Sequence, residues 1–234
     1  MSDVPLVLLP GHMCDRRVFA WQMPRLRQAA GSVLVPVPMA DTIERMARDV
    51  VDAVPGSFSV AGHSLGGIVA MEIARLAPSR IRRLALISTN HRSERSEVAE
   101  LRKDRVARVT RGQLETVMRE EMKPAYLAES SRKVETLDLI MRMAVDLGPS
   151  AFVLQSQAIM TRRDYSSTLK QVQLPVALVY GTEDTLCPPD YHFAMSRILP
   201  NAVLCPVPDA GHMPMLEQPE RFCSHMLAWL ETQP

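Results

Sequence analysis

Six short apolar runs, separated by stretches that carry helical periodicity, constrain the fold of this chain more than any other feature. They are "PLVLLP" (5–10), "SVLVPV" (32–37), "SFSVAG" (57–62), "RRLALIST" (82–89), "PVALVYG" (175–181) and "AVLCPV" (202–207). Each is of strand length, and several are bounded by glycine or proline. Runs this apolar fit strands buried on both faces, and parallel neighbours need crossover connections of the kind the intervening helices supply. Helices are expected near Arg16–Gln28, Ile43–Val54, Ser64–Leu76, 189–198 and Pro219–Glu231. The second of these has Ile43, Met46, Ala47, Val50, Val51 and Val54 on one face, and Asp41 and Glu44 stand as a capping box at its start. The expectation is an α/β fold, with a mostly parallel sheet of about six strands and helices on both faces.

Between about residues 91 and 170 the alternation stops. Four helical segments, near 94–110, 112–123, 133–147 and 150–162, fill the interval, and Leu137, Ile140, Met141, Ala144 and Val145 form an apolar stripe on the third. A helical insertion at the carboxyl ends of the strands would lie over the edge where such sheets bind ligands. No linker or repeat divides the chain, so residues 1–234 are expected to form one domain with this insertion as a cap.

At 234 residues the chain is long enough for one sizeable core. Its net charge of +1, with acidic and basic residues interleaved, argues against a nucleic-acid footprint. No apolar stretch reaches the ~20 residues that span a bilayer, and "MSDVPLVLLPGH" lacks the basic start of a secretory signal. Cys14, Cys187, Cys205 and Cys223 have neither CxxC nor zinc-ligand spacing. A cytoplasmic protein with reduced thiols, no membrane partner and no metal is expected.

The chemistry concentrates at strand ends. "SFSVAGHSLGG" sets Ser64 between an apolar strand and a helix, with Gly62 and Gly66 two residues to either side. Such a nucleophile elbow holds its serine out at positive φ. A serine needs a base, and the base needs an orienting acid. Asp184 in "YGTEDTLCPP" and His212 in "PDAGHMPMLEQPERF" each follow a different strand, so all three fall on one edge of the sheet.

With its motifs "GHSLGG", "YGTEDTLCPP" and "AGHMPMLEQPERF", the chain resembles the α/β-hydrolase superfamily, in the branch of small esterases with a helical cap. The resemblance covers nearly the whole chain and is vague only through the cap. It implies six parallel strands, the first two of the family's eight being absent. It also implies an oxyanion hole from the backbone N–H groups of Leu65 and, in the loop "LLPGHMCD", of His12. Pro10 there replaces the histidine usual in the family.

The function expected on this basis is hydrolysis of a small carboxylic ester, thioester or lactone through an acyl-enzyme on Ser64, without cofactor. Cleavage of a C–C bond or an elimination on the same triad, and a ligand receptor that retains the triad, are the alternatives. Met13 and Met213 are candidate pocket walls, with Met215 beside them; core filling is the competing role. Glu183 is the competing acid. His63 is read as structural, Cys14 and Cys187 as pocket lining, and Arg162 and Arg163 as solvated surface.

Overall fold

The computed structural model of the protein describes residues 4–122, 126–130 and 132–233. The first half runs β1 (Leu6–Leu9), a 3-10 turn (Arg16–Phe19), α1 (Met23–Ala30), β2 (Val33–Leu34), α2 (Ile43–Ala53), β3 (Phe58–His63), α3 (Leu65–Leu76) and β4 (Ile81–Ile87). Next come α4 (Ser96–Thr110), α5 (Leu114–Thr116) leading into π-helical Val117–Met122, α6 (Lys133–Met160) and α7 (Ser166–Leu169). The alternation resumes with β5 (Val176–Gly181), α8 (Pro189–Ser196), β6 (Ala202–Val207), α9 (Pro214–Glu217) and α10 (Pro219–Glu231).

The six strands form one sheet, all pairs parallel, in the order β2-β1-β3-β4-β5-β6. Because side chains alternate across a strand, each central strand feeds two cores. Leu6, Leu8, Ala61, Ala85, Ile87 and Val179 face one core, which Leu26 of α1 and Phe222 and Met226 of α10 complete. Val7, Leu9, Val60, Leu84, Leu86 and Leu178 face the other, closed by Met46 and Val50 of α2 and Val69 and Ile73 of α3. This double burial explains why β1 and β5 read as unbroken apolar runs, and why even Ser59 and His63 of β3 are buried. β6, at the edge, is buried only at Cys205 and Val207.

The expected strands and helices are all present, with local differences. The helix expected over Arg16–Gln28 is broken into a 3-10 turn and α1, with Pro24 in the first turn of α1. At the start of α2 the cap is Thr42, whose Oγ1 accepts from the Arg45 N–H at 3.2 Å, and not Asp41. β2 keeps only two residues of its apolar run. The two helices expected over 133–147 and 150–162 join as α6 across a kink at Gly148, whose φ of 79° precedes Pro149. Residue 123, the last of the helix expected over 112–123, lies outside the described residues.

Candidate active site

Ser64 sits between the last residue of β3 and the first of α3 with φ 52° and ψ −113°. A non-glycine residue held there costs on the order of 1–3 kcal/mol, so the surroundings must fix it. They do so through its backbone. The Ser64 N–H donates to Ile87 O at 2.9 Å, and its carbonyl accepts from Gly67 N, Ile68 N and Thr89 Oγ1. The crossing leaves no room for side chains: a Cβ on Gly62 would lie 2.1 Å from Gly66 O, and one on Gly66 would lie 2.1 Å from Leu9 O.

Asp184 and His212 come from the loops after β5 and β6. The Asp184 Oδ1 accepts from the N–H groups of Leu186 (2.9 Å) and Cys187 (2.8 Å), and Oδ2 lies 2.9 Å from His212 Nδ1. The carboxylate can only accept, so Nδ1 carries the proton and Nε2 is left as a base. Burial alone would raise the Asp184 pKa. The His212 charge and hydrogen bond, with the two backbone N–H groups, outweigh it and hold the carboxyl below its ordinary value. Glu183, the competing acid, is exposed and engages Ala210 O through its backbone.

The loop carrying His212 is tied down on every side. Its N–H donates to Tyr126 O at 2.7 Å, and its carbonyl lies 2.9 Å from His63 Nε2, giving His63 the structural place expected for it. Beneath the loop lies Glu217 of α9. Its buried carboxylate accepts from the N–H groups of Ala128 (2.7 Å), Gly211 (2.9 Å) and Met213 (3.0 Å). Nothing in the sequence separated Glu217 from an exposed helical acid: Gly211 and Met213 are close in the chain, but that the loop folds back onto the carboxylate, and that Ala128 joins it from 89 residues away, is tertiary information.

A second unforeseen residue supports the loop after β1. The buried Gln155 of α6 accepts from the Met13 N–H at 2.9 Å and donates to Pro38 O at 2.8 Å. This engages the Met13 N–H, and His12 is the neighbouring residue that reaches the cavity. Leu65 N–H, the first of α3, lies among the N–H groups that no turn of the helix can use.

Ser64, Leu65 and His12 line a cavity of about 690 Å³, to which Arg102, Met122, Ile159 and Arg162 from the β4–β5 segment also contribute. Three expectations are corrected here, for the two methionines, for Arg162 and for Cys14. Met13 and Met213 are fully buried in the packed core, and the methionine that lines the cavity is Met122. Arg162 is no solvated surface residue: its side chain is 7% exposed and paired with Glu94, whereas Arg163 is half exposed. Cys187 lines the cavity and Cys14 belongs to the core. Burial pushes the Cys187 thiol well up, so it stays protonated. Among the described residues, no group of three or more His, Cys, Asp or Glu could hold a metal ion, and no helix is long and apolar enough to cross a membrane.

The model of the α/β-hydrolase family matches residues 6–225. The chain belongs to the α/β-hydrolase family. This α/β-hydrolase is 30% identical to the pimeloyl-[acyl-carrier protein] methyl ester esterase of Nitrosomonas europaea over 190 residues, 79% of this chain and 75% of that one. It is 27% identical to the enzyme of the same name from Chromobacterium violaceum, covering 97% and 94% of the two chains. Among solved structures, a thermophilic esterase from Thermogutta terrifontis, described with malate bound, superposes with a TM-score of 0.88 at 28% identity, over 98% of this chain and 90% of that one. The protein is an enzyme of the hydrolase class.

Proposed function

We propose that this hydrolase cleaves small carboxylic esters through an acyl-enzyme on Ser64. One observation carries the reading: a serine held at φ 52° at the head of α3 opens into the cavity, while a buried carboxylate–imidazole pair occupies the loops after β5 and β6 on the same sheet edge. The esterase names of its relatives support ester chemistry over the other reactions such a fold can host.

In this mechanism His212 Nε2 takes the Ser64 hydroxyl proton as Oγ attacks the ester carbonyl. The resulting oxyanion is held by the backbone N–H groups of Leu65 and His12, and the α3 N-terminus favours the negative charge. His212 returns the proton to the departing alcohol, leaving Ser64 acylated. It then takes a proton from water, which attacks the acyl carbon and releases the acid. Asp184 keeps the imidazole in the Nδ1–H tautomer and stabilises its charged form. The helices between β4 and β5 act as a cap that limits water and shapes the acyl pocket.

Steady-state turnover of p-nitrophenyl butyrate by wild type and Ser64→Ala tests this. Wild-type turnover that drops by roughly 10³-fold or more in the variant is expected. Equal rates would place the chemistry elsewhere.

A further inference from the structure

Leu65 supplies a backbone N–H to the proposed oxyanion hole, and that N–H shares a trans peptide unit with the Ser64 carbonyl. The unit is planar, so whatever fixes the carbonyl fixes the direction of the N–H on its far side. Three donors converge on Ser64 O. The N–H groups of Gly67 (2.9 Å) and Ile68 (3.2 Å) belong to α3 itself and move with it. The third donor is the Thr89 hydroxyl at 2.8 Å, which lies just beyond β4 and ties the carbonyl to the sheet.

Placing that hydroxyl takes strain and space. Ser88, the residue after β4, is buried at φ 43°, a left-handed conformation uncommon outside glycine. Its N–H donates to Val179 O at 2.9 Å, and the Thr89 N–H donates to the buried His192 Nε2 at 3.3 Å. Thr89 is itself buried, so near α3 that a Cβ on Gly67 would stand 2.7 Å from the threonine Cβ. A second strained serine beside the nucleophile, a histidine acceptor and a glycine opposite thus converge on the position of one side chain. Satisfying the carbonyl does not require it, because the N–H groups of Gly67 and Ile68 already engage its lone pairs.

We infer that Thr89 is a positioning residue for the oxyanion hole: its hydroxyl fixes the Ser64–Leu65 peptide and polarises it, so that the Leu65 N–H is both aimed and a stronger donor. This role rests on the acyl-enzyme reading of Ser64 and deepens it. Thr89 acts through the peptide and not on the substrate, and its effect is confined to states that carry an oxyanion. Acylation and deacylation both pass through such a state. Both therefore slow together when the hydroxyl is removed, and kcat falls while KM stays.

Steady-state turnover of p-nitrophenyl butyrate and its inhibition by butyl trifluoromethyl ketone, in wild type, Thr89→Val and Thr89→Ser, test this. Ser64 Oγ adds to the ketone carbonyl carbon, the hydroxyl proton passes to His212, and the oxyanion that results occupies the hole. Valine keeps the shape and removes the donor, whereas serine keeps the donor. Thr89→Val is expected to lower kcat about tenfold and to weaken the ketone about tenfold, with KM unchanged. Deleting an oxyanion donor outright costs more, about 10²–10³-fold. Thr89→Ser is expected to restore both quantities to within about threefold of wild type. A merely structural role would leave the ketone affinity of the folded protein unmoved. A kcat for Thr89→Val within about twofold of wild type, a fall in kcat without the matching loss of ketone affinity, or a serine variant as impaired as the valine one overturns the proposal. Should Thr89→Val fail to fold, Thr89→Ala against Thr89→Ser decides by the same criteria. A wild type without ester turnover, or one that the ketone does not inhibit, overturns the ester reading and this role with it. The other outcomes overturn the role of Thr89 alone.

Discussion

His212 Nδ1 and Asp184 Oδ2 stand 2.9 Å apart with side-chain exposures of 1% and 0%, so the pair is sealed from solvent and its hydrogen bond has no water to compete with it. Asp184 spends its other oxygen on the N–H groups of Leu186 and Cys187, which aim the carboxylate at the imidazole. An amide at this position could donate to Nδ1 and favour the wrong tautomer. Asp184→Asn is therefore expected to lower kcat on p-nitrophenyl butyrate by about 10³–10⁴-fold with little change in KM. A loss below tenfold would remove Asp184 from the mechanism.

Gln155 links the insertion to the loop after β1 through the Met13 N–H. Met13 sits at φ 55°, a strained conformation that this hydrogen bond helps to hold. Replacing Gln155 by Met keeps the bulk and removes the acceptor. The loop bearing the His12 N–H should then lose its fixed position, with kcat falling roughly tenfold and KM nearly unchanged. Matching changes in kcat and KM would mean that Gln155 shapes the pocket instead.

Among the described residues, Glu217 receives backbone N–H groups from both the His212 loop and Ala128. With glutamine, one carbonyl oxygen must serve three donors. Glu217→Gln should destabilise the protein by about 1–3 kcal/mol, seen as a fall of several degrees in Tm by calorimetry. An unchanged Tm would show that the loop is held without it.

His192 stacks on Tyr180 at 4.8 Å, and burial holds its pKa down to about 4. In the unfolded chain it titrates near 6.5. Stability linked to His192 is thus present above about pH 6.5 and declines as pH falls toward about 4, where the folded imidazole also takes up its proton. The decline is on the order of 3 kcal/mol. Urea unfolding between pH 7 and pH 4 should therefore show a shallower fall for His192→Phe than for wild type. Parallel curves would assign the acid sensitivity to other groups, such as His91, whose pKa burial also lowers.

The sheet was legible in the sequence because the central strands are buried on both faces: β1 and β5 are apolar throughout, and β3 and β4 are mainly apolar, with Ser59 and His63 in β3 and Arg82 and Arg83 at the start of β4. Ser64, Asp184 and His212 were legible for a different reason: a turn that needs Gly62 and Gly66, and loops that end strands, leave local signatures. Glu217 and Gln155 left none. Glu217 joins its own loop to Ala128, 89 residues away, and Gln155 reaches Met13 across 142 residues; no local spacing encodes those two long contacts. The same holds for Arg162, which read as surface because its burial depends on Glu94, 68 residues earlier in the chain. Met13 follows the cavity residue His12 in the chain, and Met213 follows His212, yet both pack into the core, a side-chain direction that neighbourhood in sequence cannot supply.

The most direct test of the account is rapid-quench mass spectrometry of the protein mixed with p-nitrophenyl acetate. A burst of p-nitrophenol equal to the enzyme concentration, with an acetyl group mapped to Ser64 and absent from Ser64→Ala, is the predicted result. Sustained ester turnover with no burst and no adduct on Ser64, or an adduct on another residue that persists in Ser64→Ala, would contradict it.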